Sequence, residues 1–440
     1  MSSIPHGRRL YQAGPAQRHV NDIFKGDITV TLTATDHCAR GAMLSSTYAP
    51  RASIRTASAA RGQELRVALF SGNYDCVRDG ANQALNRLVD HLLSAGAAVR
   101  VYSPVAAEPA FHSAGDVVPV RSIAIPGRGE YRVALGLPSK VRADIERFAP
   151  NIVHLSAPDW LGWRAQRFAR EHGIPVVSSL HTRFESYLDY YGLRRLKKPV
   201  ERYLDRFYRS CDHVLAPTRP IADALGRKGL NGRVTIWGRG VDHDQFNPCR
   251  RSTVWRGDLG YAHGEVVPLF FGRLVREKGI GLFVDVIRAM RGRGHRLRPV
   301  VVGEGPARPW FAKQLPDAHF LGHLSGNCLG TAIASADVLV NPSVTEAFGN
   351  VNLEAMASGI AIVSARVDSA ETLVNHGSSG LLVKADDVEG YADALEQLIL
   401  SRHTRVALGT AAAQSALSHD WQTQLSTVVS VYRTCLGSGR

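Results

Sequence analysis

Two carboxylates, Glu346 and Glu354, stand on either side of Gly349 in the run NPSVTEAFGNVNLEAMASG, Asn341 to Gly359. The run follows an apolar stretch, Ala336 to Val340, with the composition of a buried parallel strand. It then breaks into a polar loop, Ser343 to Asn350, and resumes with Leu353, Met356 and Ala357 at the spacing of a core-facing helix. Strand, glycine-containing loop and helix start together offer free backbone N–H groups and a helix dipole to an anion. A carboxylate cannot hold a phosphate, but it accepts hydrogen bonds from hydroxyls. Main-chain donors in the middle with an acceptor at each end suit a ligand in which sugar, phosphate and ribose follow one another.

Two cations occupy a comparable place. FGRLVREKG, Phe271 to Gly279, follows the apolar run Val266 to Phe271. Gly272 lets the backbone come close to a ligand. Arg273 as a fork and Lys278 as a point charge can neutralise one diphosphate, the alternative being a solvated basic turn. His181 follows the apolar run Val176 to Leu180, at the strand end where cleft residues sit. It either packs as a structural histidine or orients an acceptor or a donor sugar. Asp242-His243-Asp244 has the Asp-x-Asp pattern of a metal site, but it precedes Phe246-Asn247-Pro248, where carboxylates cap a turn. Arg273, Lys278 and a helix start already supply positive charge, so no metal or other cofactor is expected. Leu193 to Arg209 carries seven basic residues, Arg194, Arg195, Lys197, Lys198, Arg202, Arg206 and Arg209, among leucines and aromatics. It suits an anionic membrane surface, or equally a solvated helix with one buried face.

Positioning these groups takes two sets of alternating strands and helices. The first begins at Leu65 to Phe70, turns through Gly72 and Gly80, and continues with a helix near Ala81 to Ala95. Strands are expected at Val99 to Tyr102, Val117 to Val120, Ile152 to Leu155, Val176 to Leu180 and His213 to Ala216. The second set starts at Val266 to Phe271 and runs through Arg298 to Gly303, Ala336 to Val340 and Ile360 to Ser364. The fold class is therefore α/β, with two doubly wound Rossmann-like domains whose strand ends face a shared cleft. The expected boundaries are a disordered extension over 1–63, an acceptor-side domain over 64–244, a nucleotide-sugar-binding domain over 245–415, and a C-terminal helix over 416–440 packing back toward the first domain.

The chain has 440 residues and a formal charge of +14, from 53 Lys and Arg against 39 Asp and Glu, a balance that favours polyanions, anionic lipid or phosphorylated substrates. Its six cysteines are scattered without metal or redox spacing, which reads as reduced thiols. No apolar run approaches the roughly 20 residues of a membrane span.

GRLVREKG, VVGEGP (Val301 to Pro306), FLGHLSG (Phe320 to Gly326) and PSVTEAFGNVNLEAMASG together resemble the family-4 retaining glycosyltransferases of the GT-B fold, in that family's order. RDGANQALNRLVDHLLSAGAAVRVYSP, SSLHTRFESYLDYYG and GRGVDHDQFNP are similar to its lipid α-mannosyltransferase and sulfolipid-synthase branch. The resemblance implies that Arg273 and Lys278 bind the donor diphosphate and that Glu346 holds sugar hydroxyls. The amides of Phe348, Gly349, Asn350 and Val351 would surround sugar and phosphate, with Glu354 on the ribose and Gly303, Glu304 and His323 near the base. Gly80 would sit in the glycine loop between acceptor and donor, and His181 would face the reacting centre without acting as a general base. Val367 to Glu371 departs from the family's usual turn, which leaves the sugar open. Arg183 and Glu185 replace an expected Asp and Pro, so Arg183 either meets an anionic acceptor or a carboxylated sugar, or pairs with Glu185 or Asp189 at the surface.

The expected activity is transfer, with retention, of a hexose or uronic acid from a GDP- or UDP-linked donor to a membrane lipid acceptor. The expected place is the inner leaflet of the cytoplasmic membrane, as a peripheral protein. The alternatives are a GT-B-shaped sugar-nucleotide epimerase and a basic nucleic-acid-binding protein. No zinc spacing or RNA-binding aromatic motif supports the latter.

Overall fold

The computed structural model describes residues 64–77, 79–125, 128–181 and 194–437, within one compact unit, Ala59–Arg440. The expectations for residues 1–63 and for Arg183, Glu185 and Asp189 lie outside them.

The strands in chain order are β1 (Arg66–Phe70), β2 (Ala98–Ser103), β3 (Asp116–Pro119), β4 (Ser122–Ile125), β5 (Arg128–Ala134), β6 (Ile152–Leu155), β7 (Val176–Ser179), β8 (His213–Ala216) and β9 (Val234–Ile236). They continue with β10 (Pro268–Phe271), β11 (Val300–Val302), β12 (His319–Gly322), β13 (Val338–Asn341), β14 (Ala361–Ala365) and β15 (Leu381–Val383). One parallel sheet has the order β3-β2-β1-β6-β7-β8-β9 and the other β12-β11-β10-β13-β14-β15. Each reverses direction beside its first strand, at β1/β6 and at β10/β13, which is where doubly wound sheets open a crevice.

Both faces of each sheet are covered, which is why the strands read as continuous apolar runs. In the second sheet Leu269, Leu339 and Ile362 enter one core, while Phe270, Val340 and Val363 enter the other. In the first sheet Ala68 and Phe70 face one core, and Val67 and Leu69 the other. β4 and β5 form a separate antiparallel hairpin that the sequence reading did not foresee.

Five helices matter to the site: α1 (Gly80–Ser94), α2 (Trp160–Glu171), α3 (Lys197–Arg209), α4 (Asn350–Ala357) and α5 (Trp421–Gly437). α5 lays Leu425, Val428, Val431 and Tyr432 into the core of the first sheet, against residues such as Val67, Leu85 and Leu88. Burial of each such side chain contributes on the order of 1.5–3 kcal/mol. The last helix thus completes the core of the first lobe.

Candidate active site

The C-terminal strand ends of both sheets open onto two adjoining chambers of about 600 and about 610 Å³. Asp79, Gly80, Arg273, Lys278, Glu346 and Asn350 line both and form the joint between them. The first chamber is walled mainly by the first lobe, with Ser71, Asp159, His181 and Arg239. The second is walled mainly by the second lobe, with Gly272, Gly303, Glu304, His323, Val351 and Glu354. The four residues expected to grip a nucleotide sugar, Arg273, Lys278, Glu346 and Glu354, therefore share one cavity.

Two helix starts meet at the joint. α1 begins at Gly80, with Asp79 as its cap accepting a hydrogen bond from the Asn82 amide at 2.8 Å. α4 begins at Asn350 after Gly349, whose φ of 97° is the left-handed backbone that favours glycine. The α4 start has no side-chain cap, so its N–H groups make the joint a place for negative charge, whereas at α1 the Asp79 carboxylate already takes the first amides. The lobes touch here. A β-carbon on Gly80 would lie 3.1 Å from Asn350 Cγ and closer still to its Nδ2, so a larger residue would have to push the Asn350 side chain aside. Asn350 Oδ1 is buried and has no hydrogen-bond partner among the described residues.

The loop before α4 is pinned from below. Asn341 at the end of β13 donates to Asn352 Oδ1 (2.8 Å), and Asn352 donates to Ser364 on β14 (3.1 Å). Thr345 donates to the Glu277 carbonyl at 3.3 Å, and Gly279, at φ 73°, packs against Pro342. These contacts bring the Lys278 turn onto the Glu346 loop, where Lys278 Nζ and Glu346 Oε1 pair directly. Ser343 Oγ donates to the same carboxylate oxygen at 3.3 Å. Arg273 reaches across the cleft, donating to Tyr131 OH at 2.6 Å. Its guanidinium lies 5.6 Å from the centroid of that ring.

On the base side, Gly303 has φ 134°, and a β-carbon there would collide with the Gly272 carbonyl. The loops after β10 and β11 can lie this close only with glycine. Glu304 Oε1 accepts from Arg308 at 2.9 Å. Glu354 is half-buried in the same chamber, and burial pushes its pKa up to about 8, with Arg87 drawing it back. Phe348 buries its ring edge-on to His419, 6.2 Å between centroids.

His181 lines the first chamber at the end of β7 and is held from both sides. Arg239 Nη2 donates to its Nδ1 at 2.6 Å, and its Nε2 lies 2.7 Å from Ser179 Oγ. A guanidinium can only donate, so Nδ1 is the bare nitrogen and Nε2 carries the proton. Burial, Arg239 and His154 hold its pKa well below the usual histidine range. Both nitrogens are engaged, so the ring positions its neighbours and has no free lone pair to act as a base. The line continues from Ser179 Oγ to His154 Nε2 (2.9 Å), and from His154 Nδ1 to Tyr432 OH on α5 (2.6 Å).

Asp79, Tyr131 and Arg239 escaped the sequence reading. Burial raises the pKa of Asp79, while the Asn82 and Ala81 amides, Arg273 and Lys278 pull it down. Arg239 is buried, and burial lowers it to about 10. Its signal in the sequence was an arginine between two glycines after a strand. Asp242 Oδ1 accepts from the amides of Asp244 (3.2 Å) and Gln245 (3.1 Å), the expected turn cap. The same role expected for Asp244 is not seen. Its carbonyl, rather than its carboxylate, accepts from Asn247 and Arg250.

Comparison with known proteins agrees with this architecture. A family model described as Glycosyltransferase Family 4 matches residues 78–245, and one described as Glycosyl transferases group 1 matches residues 265–401. A GDP-mannose-dependent alpha-mannosyltransferase of Corynebacterium glutamicum is 29% identical over 84% of this chain and 88% of its own length. An alpha-monoglucosyldiacylglycerol synthase of Acholeplasma laidlawii is 23% identical over 80% and 92%. Among solved structures, the sucrose-phosphate synthase of Thermosynechococcus elongatus superimposes with a TM-score of 0.70 at 19% identity, covering 85% of this chain and all of that one. Two facing parallel sheets, the four motif blocks in order and both family models lead to one conclusion: this chain belongs to the family-4 glycosyltransferases of the GT-B fold.

Proposed function

We propose that the enzyme transfers a hexose or uronic acid from a nucleoside-diphosphate sugar to a lipid acceptor in an anionic membrane, with retention at the anomeric carbon. The observation that carries the proposal is the joint, where two chambers of similar size meet at Arg273, Lys278, Glu346 and two helix starts. The nucleotide occupies the second chamber, with Glu354 on the ribose, Gly272 leaving room for the backbone to approach, and Gly303, Glu304 and His323 beside the base. The diphosphate lies at the joint against Arg273, Lys278 and the amides from Phe348 to Val351. Glu346 holds the sugar hydroxyls, and the acceptor enters past His181. As the bond to the sugar breaks, charge grows on the leaving phosphate. The two cations and the fixed dipole at the joint stabilise it.

Asp79 and Arg239 add to the sugar side of the joint. The full-sized acceptor chamber favours transfer over epimerisation, which needs no second substrate. The names of the relatives support a GDP-linked donor and a diacylglycerol-type acceptor, and the basic α3 supports a membrane partner rather than nucleic acid. Radiolabelled nucleotide sugars with a lipid extract test the proposal. Glu346→Ala and Lys278→Ala should each lower transfer by about a hundredfold or more, and full turnover in both would sink it. A thermal-shift screen across GDP- and UDP-sugars identifies the donor, because a ligand that binds only the native state raises the midpoint.

A further inference from the structure

The β4–β5 hairpin exposes an apolar face that no part of the described chain covers. Ile123 lies opposite Val133 in the antiparallel register, and they are 56% and 44% exposed. Leu135 directly after β5, and Trp160 at the start of α2, are each more than half exposed. These residues are neighbours. A β-carbon on Gly136 would lie 2.9 Å from Trp160 Nε1, and Trp160 stacks on Trp163 with 4.9 Å between centroids. The strip does not stop at the surface. Ile125, Val133 and Trp160 also line the first chamber, so the apolar strip leads from the outside into it.

Beside this strip stands a cationic element. Tyr203 OH donates to the Pro158 carbonyl at 2.9 Å, fixing α3 next to Trp160. α3 and the turn before it expose Arg195, Lys198, Arg202, Arg206 and Arg209. An apolar face with an indole at its rim and a row of guanidiniums alongside is complementary to an anionic bilayer, where headgroups meet the cations and chains meet the apolar residues.

We propose that the outward face of the β4–β5 hairpin, with Leu135 and Trp160, enters the surface of an anionic bilayer and guides the hydrocarbon part of a lipid acceptor into the first chamber. The proposal rests on the lipid acceptor named above. It adds the surface that meets the membrane and the route the acceptor takes.

Ile123 and Leu135 do not line either chamber, so replacing them leaves the chemistry in place. Sedimentation of the full chain with vesicles of phosphatidylcholine alone, and of phosphatidylcholine mixed with phosphatidylglycerol, is the test. The parent should bind the mixed vesicles more tightly. The double substitution Ile123→Ser, Leu135→Ser should weaken that binding roughly tenfold for each apolar side chain removed. Its unliganded unfolding midpoint and its donor-induced shift should match the parent's. Bromine-labelled acyl chains should quench the parent's fluorescence, and Trp160→Phe should remove that quenching. Mixed-vesicle binding by the double variant within about twofold of the parent would overturn the proposal. So would conversion of a dimer to a monomer by the double substitution, since a second copy would then own the face. Loss of donor shift or of transfer in the parent itself is a separate result that refutes the proposed function. Transfer that persists while vesicle binding ignores the double substitution refutes the docking surface alone.

Discussion

Gly80→Ala separates the stability of the fold from the geometry of the cleft. Gly80 is the first residue of α1 and its backbone is not left-handed, so alanine fits the local conformation. By itself that replacement should hold or raise stability, by up to about 1 kcal/mol, because it restricts the unfolded chain. Across the cleft it has the opposite effect. The new methyl group would lie 3.1 Å from Asn350 Cγ and closer to Nδ2. Non-bonded heavy atoms settle at about 3.5 Å or beyond, so the Asn350 side chain or the whole second lobe must retreat by on the order of 1 Å. Misplacement of that size between reacting groups costs on the order of a hundredfold in rate. The expected outcome is kcat/KM down about a hundredfold with an unchanged or higher unfolding midpoint, read by labelled-donor transfer and by thermal denaturation. Adding Asn350→Ala should restore part of the lost rate, since it removes the opposing atoms. Turnover within about twofold of the parent would refute the reasoning. So would a loss of midpoint in parallel with activity, because the strain would then sit inside α1 rather than between the lobes.

Three other predictions concern charge. Lys278→Ala should lower kcat/KM by about two to three orders of magnitude, the usual cost of one donor to a developing oxyanion. Lys278→Arg should recover little of it, because the new fork cannot reproduce the point contact with Glu346. Glu354 holds its proton more tightly when folded than when unfolded, so its contribution is full below its ordinary value of 4.5 and declines as pH rises toward about 8. Glu354→Gln should therefore raise the unliganded midpoint at pH 8 while weakening nucleotide affinity by about tenfold or more, both read from thermal shifts. His154 is buried and neutral, its pKa pushed down to about 3, whereas the unfolded chain takes up that proton near 6.5. Stability should thus fall as pH drops below 6.5, by about 2 kcal/mol from this group at pH 5. Replacement by Gln should flatten the fall in denaturant unfolding measured at pH 7 and pH 5, and an unchanged slope would contradict it.

The second lobe was legible because its chemistry is local in sequence. β13, the Glu346 loop and α4 follow one another within twenty residues, and strands buried on both faces leave unbroken apolar runs such as Val338 to Val340. The joint was less legible because it is assembled from distant parts. Arg273 meets Tyr131 across 142 positions and Arg239 meets His181 across 58, and no local pattern announces either. The direct pairing of Lys278 with Glu346 was hidden for the same reason. The hairpin was missed on different grounds. Ile123, Ile125 and Val133 stand exposed on its strands, so a search for strands that bury their apolar residues passes over the segment. β9, β12 and β15 extend the sheets only briefly and carry little periodicity.

The line of hydrogen bonds from Arg239 to Tyr432 has a bearing on how the protein is made. Its far end lies on the last helix, which also supplies four apolar side chains to the core of the first lobe. While the ribosome is still adding residues short of Tyr432, the nascent first lobe lacks a wall and His154 lacks the phenol that meets its Nδ1. The hydrogen-bonded line beside the first chamber therefore acquires its final order only once synthesis has carried past that tyrosine, and a polypeptide released early would hold both nucleotide-fold lobes yet leave His154, and through Ser179 the His181 ring, without this anchor.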